Sequence, residues 1–134
     1  MNNYAIGLGC DRGTSLQTLR QAVEVALALA SASPEQVTAA ASITLKMDEA
    51  ALLALAQEHD WPLVFYPPEQ LAAVPVPNPS ETVRRYTGTP SVSEAAALLA
   101  AGPGTPASAL VVEKYKHRGE DGRNATVSIA RKNR

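Results

Sequence analysis

The order of apolar runs and helical repeats predicts an α/β fold: a single domain over 1–134, three layers deep (α/β/α), with a mixed, largely parallel sheet. Three observations carry this reading. The first 66 residues alternate strand, helix, strand, helix, strand, the pattern of a parallel sheet with right-handed crossovers. A glycine-rich segment, Gly7 to Thr14, stands between the first apolar run and a long alanine-rich helical pattern. Two further apolar runs near the C-terminus flank a polar stretch with two glycines, which can close them as a hairpin.

Ala5, Ile6 and Leu8 form the first strand. Thr14 and Gln17 have the spacing of a capping box, so a helix should start there. Leu16, Leu19, Val23, Leu27 and Ala30 recur at helical spacing to about Ala32. Ser33-Pro34 stops that helix and allows a single helical turn. Ala40 to Leu45 is a second strand, and Asp48 can cap a helix running to about His59. Leu63 to Tyr66 is a third strand, apolar enough to be buried on both faces. Pro67 to Leu71 starts a short helix, and the three prolines between Val74 and Pro79 require a non-helical loop. Ser80 to Tyr86 is a short helix stopped by Gly88. Ser91 and Glu94 suggest a second capping box, opening a helix from Val92 to Ala101. The last strands are Ala109 to Val112 and Ala125 to Ala130, with Lys116 to Asn124 between them.

Composition narrows the partners. Twelve basic and thirteen acidic residues leave a formal charge of −1, which is no electrostatic footprint for nucleic acid or an anionic membrane. Aromatics at 4% are too few for a base-stacking platform. No apolar run approaches the roughly 18 residues of a membrane span. No secretory signal pattern is present, and one cysteine fits a reducing compartment, so a cytoplasmic protein is expected. One cysteine and two histidines give no metal-ligand spacing, and no cofactor is expected.

Gly7, Gly9 and Gly13 would let backbone approach a ligand, and the helix start behind them would favour an anion. A phosphate loop lacks its lysine here. A dinucleotide fingerprint finds Arg12 where its last glycine should be, and Gly13 one residue late. The open readings are an anion or ligand site and a plain structural turn. Cys10, before a helix start and beside Arg12, is either a thiol of lowered pKa or a small buried side chain. Lys46 follows the second strand at the same carboxyl edge, where ligands bind in open α/β sheets. Asn78 and Ser80, then Thr89 and Ser91, sit at two further helix entries, with helix capping as their structural role. Lys114, Lys116, His117 and Arg118 form a basic cluster after the fourth strand.

Six segments in order, GLGCDRGT, SITLKMDE, PNPSETVRR, GTPSVSEAAALLAAG, LVVEKYKHRG and NATVSIAR, resemble the family of CobE and the C-terminal domain of CbiG, from cobalamin (vitamin B12) biosynthesis. The resemblance covers about Tyr4 to Arg131. Position 11 is acidic here, where family members often carry a second basic residue. The resemblance implies a role in the corrin pathway: binding a carboxylate-rich precorrin or corrinoid, with other enzymes of the pathway as further partners. It also implies an alternative, since enzymes of the CbiG type open a lactone on a cobalt-precorrin and release acetaldehyde. Those enzymes carry further N-terminal regions, so a chain of this length is expected to be closer to the stand-alone form. A ligand rimmed by acetates and propionates would need several spread anion contacts. The expected set is Gly7, Gly9, Cys10, Arg12, Gly13, Thr14, Lys46, Asn78, Ser80, Thr89, Ser91, Lys114 and Lys116.

Overall fold

The computed structural model describes residues 2–132. Its centre is one five-stranded sheet of order β3-β2-β1-β5-β4, made by β1 (Tyr4–Cys10), β2 (Val37–Ile43), β3 (Leu63–Tyr66), β4 (Leu110–Arg118) and β5 (Asn124–Arg131). β1 pairs parallel with β2, and β2 with β3, while β5 is antiparallel to both β1 and β4. Four strands therefore point one way and only β5 runs against them, the mixed, largely parallel sheet that the pattern predicts.

Two helical layers cover the sheet. α1 (Leu16–Leu29) and α2 (Ala50–His59) pack on one face, against Ile6, Leu8, Val127 and Ile129. α5 (Val92–Ala101) covers the other face, with the short α3 (Pro68–Ala72) beside it. Alternation along β1 sorts the two cores: Ile6 and Leu8 face α1, and Ala5 faces α5. α5 buries eight of its ten residues and is rich in alanine, so it can lie very close to β1. Gly7 makes that approach possible, since a Cβ there would lie 1.9 Å from the Ser93 carbonyl oxygen and 2.6 Å from the Ala97 nitrogen. α4 (Glu81–Thr87) buries no residue and is closed by Gly88 in the left-handed conformation. No helix among the described residues is long and apolar enough to cross a membrane.

Several local expectations need correction. Gly7 and Gly9 belong to β1 itself, because strand pairing with β5 continues to Cys10. The turn is shorter, from Asp11 to Ser15. Ser15, not Thr14, caps α1: its Oγ accepts from the Thr18 amide at 3.1 Å, while the Thr14 hydroxyl donates to the Asp11 carbonyl at 2.6 Å. β2 begins at Val37 and ends at Ile43, and Thr44–Lys46 form a 3-10 turn. The residue before α2 is Glu49, without a side-chain capping bond, and Asp48 turns to Arg12. The box at Ser91 and Glu94 does not form, because Glu94 accepts from the Asn78 amide, Asn78 Nδ2 and the Lys114 amide. β4 runs on to Arg118, so Lys114, Lys116 and Arg118 lie in the strand rather than after it.

Candidate functional site at the carboxyl edge of the sheet

The chain order places a crevice outside the end of β1. From β1 the chain builds β2 and β3 to one side, then crosses the sheet to lay down β4 and β5 on the other. Ligand sites in open α/β sheets form at such a point. A cleft of about 560 Å³ lies there, within the range of roughly 300–1,000 Å³ for small-molecule sites. Gly9, Cys10 and Arg12 at the end of β1, and Ile43 and Lys46 at the end of β2, form part of its wall. Ser80, Val83 and Tyr86 add one side from α4, Val92 and Ser93 the head of α5, and Lys114, Lys116, Asn124 and Thr126 the far side from β4 and β5.

The lysines reach the cleft for local reasons. A register shift between Val112 and Tyr115 lets Val112 and Tyr115 both pack against the α1-side core. Lys114 and Lys116 are thereby turned to the opposite, cleft side, and the Lys114 amide is free to donate to Glu94 at 3.0 Å. Lys46, Lys114 and Lys116 make no ion pair with any described residue. The carboxylate on the cleft wall, Asp11, is already held by the Asn124 amide (2.8 Å) and Nδ2 (3.1 Å).

Other expected contacts are occupied by the chain itself. Arg12 lines the cleft, but its guanidinium donates to Asp48 Oδ1 (2.7 Å) and the Leu45 carbonyl (2.6 Å) and pairs with Glu49 Oε1 at 3.0 Å. The Gly13 amide, with φ at +79°, donates to the Glu49 carboxylate at 3.1 and 3.3 Å. Asp121 accepts from the Ser15 amide at 2.9 Å. The N-terminus of α1 is thus filled by two of the protein's own carboxylates, and the expected anion site there is not free. Gly7 is covered by α5, and Thr14 is buried in its turn. Asn78 holds Glu94 and Glu113 rather than facing the cleft. Thr89 and Ser91 are fully buried, and neither hydroxyl has a hydrogen-bond partner.

Cys10 lines the cleft, but burial pushes its thiol up to about 11, a rise that nearby Lys46 only partly offsets. The expectation of a lowered pKa fails because desolvation outweighs the nearby positive charge. Neither histidine faces this edge. His59 stacks on Trp61 at 4.4 Å at the end of α2, and His117 Nε2 lies 3.0 Å from Gln21 Oε1 on the α1 side.

A model of the family described as cobalamin synthesis G C-terminus matches residues 4–130. The chain belongs to that family. Among similar proteins, a cobalt-precorrin-5A hydrolase of Priestia megaterium is 40% identical over 126 residues, covering 94% of this chain and 31% of the hydrolase. Protein CobE of a Sinorhizobium species is 40% identical over 99 residues, covering 72% of this chain and 64% of that protein. The chain therefore spans less than two thirds of either curated relative. A crystal structure of CobE, a protein of the cobalamin biosynthetic pathway, superposes with a TM-score of 0.74 at 32% identity, covering 97% of this chain and 90% of that one.

In this member of the family, sequence reasoning placed Ser80 at this edge but missed Val83 and Tyr86 of α4. Tyr86 is 79% exposed on a helix with no buried residue, beside the cleft. The signal was present as an aromatic following two arginines in VRRY, a residue type that a surface helix rarely needs. Asn124 and Thr126 were also missed, although they are the polar members of an alternating strand.

Proposed function

We propose that this cobalamin-biosynthesis family protein binds a precorrin or corrinoid intermediate in the cleft at the carboxyl edge, acting as a binding protein for it. The observation that carries this reading is the set of Lys46, Lys114 and Lys116, three cations around one concave surface without an ion-pair partner among the described residues. A corrin ring is broad and partly apolar, with carboxylates at its rim. Ile43, Val83, Val92 and Tyr86 offer apolar wall for the ring, and the lysines offer charge-assisted hydrogen bonds to its arms. The resemblance to CobE supports the same reading. Handing the intermediate to other enzymes of the pathway, in the cytoplasm, belongs to this reading.

A second reading is favoured by the identity shared with the cobalt-precorrin-5A hydrolase: the chain would open a lactone and release acetaldehyde. That chemistry needs a nucleophile and base, or a metal. Cys10 is a neutral thiol at pH 7, no histidine stands beside it, and Asp48 and Glu49 are engaged by Arg12. This favours binding over turnover. Incubating the protein with a lactone-bearing cobalt-precorrin, and following bound ring and acetaldehyde together, separates the two. The binding reading expects retained ring without acetaldehyde; catalytic release would replace it with the hydrolase reading.

A further inference from the structure

α4 is a well-built helix that contributes no buried residue. Seven residues are too few to hold a helix by themselves, so its ends must be secured. The Ser80 hydroxyl accepts from the Val83 amide at 3.2 Å, and Gly88 closes the other end in the left-handed conformation. The Ser80 amide donates to the Pro90 carbonyl at 2.9 Å, which joins the two roots of the helix. Asn78, just before it, is tied to Glu94 and Glu113. None of the closely packed pairs of elements includes α4. The helix is thus anchored at its roots and presents its side chains elsewhere than to a core.

Its two sides differ. Thr82, Val83, Tyr86 and Thr87 share one side at helical spacing, and all four line the cleft. Glu81 and Arg84 pair with each other at 3.3 Å and are exposed, away from the cleft wall. α4 is therefore amphipathic toward the cleft, where a surface helix normally turns its apolar side to the core. The second observation concerns the aromatic residues. Tyr4 and Trp61 are buried, and Phe65, Tyr66 and Tyr115 pack against the two cores. Tyr86, at 79% exposure, is the one exposed aromatic among the described residues. Its ring has no packing partner that folding supplies, and it stands at the mouth of the cleft on a side chain with few rotatable bonds.

We propose that Tyr86 stacks on one flat face of the bound ring, and that the cleft therefore takes a macrocycle with no axial group on that face. The inference rests on the reading of the cleft as a corrinoid site, and it adds which surface of the ligand is recognised and which ligands are refused. Stacked rings approach to van der Waals contact, about 3.5–4 Å, and an axial group on a ring-bound metal would stand in that gap. Val83, one turn before Tyr86, extends the same apolar side. Lys114 and Lys116, from β4, are left to hold carboxylates at the ring's edge.

The test uses two probes with the same rim: a metal-free corrin heptacarboxylic acid, open on both faces, and its dicyano-cobalt form, covered on both. The variants are Tyr86→Ala, Tyr86→Phe and Lys114→Ala. The wild type should bind the open ring about tenfold more tightly than the covered one, the scale of one aromatic stacking contact. Tyr86→Ala should abolish that difference by weakening the open ring alone, and Tyr86→Phe should retain it. Tyr86→Ala should leave both the salt dependence of binding and the Tm unchanged, since neither a charge nor a buried group is removed. Lys114→Ala should weaken both rings alike. Wild-type affinity of Tyr86→Ala for both rings, with weakening only in Lys114→Ala, would overturn this inference and leave the cleft reading intact. Equal losses for both rings in Tyr86→Ala, or equal binding of both by the wild type, would remove the face contact. A lowered Tm with unchanged affinity would make Tyr86 a structural residue and also overturn it. Binding of neither ring by the wild type would end both readings.

Discussion

Arg12 shows how a residue can be placed correctly and still be assigned the wrong partner. It lies on the cleft wall, yet its charge serves Asp48 and Glu49, which the sequence places 36 and 37 positions away. Only the parallel pairing of β1 with β2 brings these residues together, so no local pattern could reveal the pair. The same holds for Asp121, 106 positions from the Ser15 amide that it accepts from. These contacts have a pH signature. The hydrogen bond from Arg12 holds Asp48 below the usual carboxylate range, backbone amides do the same for Asp121, and Arg20 does so for Glu58. A depressed carboxylate stabilises the fold above its unfolded pKa, and that stability is lost as pH falls through the folded value. Stability should therefore be flat near neutrality and fall below about pH 4. Asp121→Asn should flatten part of that fall. Denaturant midpoints measured from pH 7 to 3 check this, and a decline that Asp121→Asn leaves unchanged would contradict it.

At the scale of elements, the long periodic segments were legible and the polar boundaries were not. α1, α5 and β3 follow from apolar spacing alone. β4 was cut short at Val112 because a bulge interrupts its alternation, and because lysines at the cleft side make a strand look like a loop. The glycines of β1 were read as a loop for a related reason: sequence cannot distinguish a glycine that turns from one that admits a helix. Gly7 is the second kind, and it supplies a sharp test. Gly7→Ala drives a methyl group into the backbone of α5, with no flexible side chain to yield, and should cost about 1–3 kcal/mol or more. Gly9→Ala meets Thr126 Oγ1 first, at 2.6 Å, and Thr126→Ala should relieve it. Urea denaturation of the three variants should rank Gly7→Ala as the least stable.

At the scale of the whole molecule, a cleft at the carboxyl edge of the sheet was foreseeable from the chain order, while the charges expected to face it had to be redistributed. The loop amides and Arg12 hold the edge together, and positive charge unpaired among the described residues comes from Lys46, in the turn after β2, and from Lys114 and Lys116 on β4, on opposite sides of β1. A binding surface so arranged suits a wide ligand with charged arms better than a compact one. The central claim is that this cleft holds a carboxylate-rimmed corrin ring through those lysines. Visible-light titration of the protein with a corrinoid heptacarboxylic acid, at low and high salt, tests it most directly. The account predicts saturable binding that weakens as salt rises, and that weakens further in Lys46→Ala and Lys114→Ala. Absence of binding, or binding indifferent to both salt and lysine replacement, would contradict it.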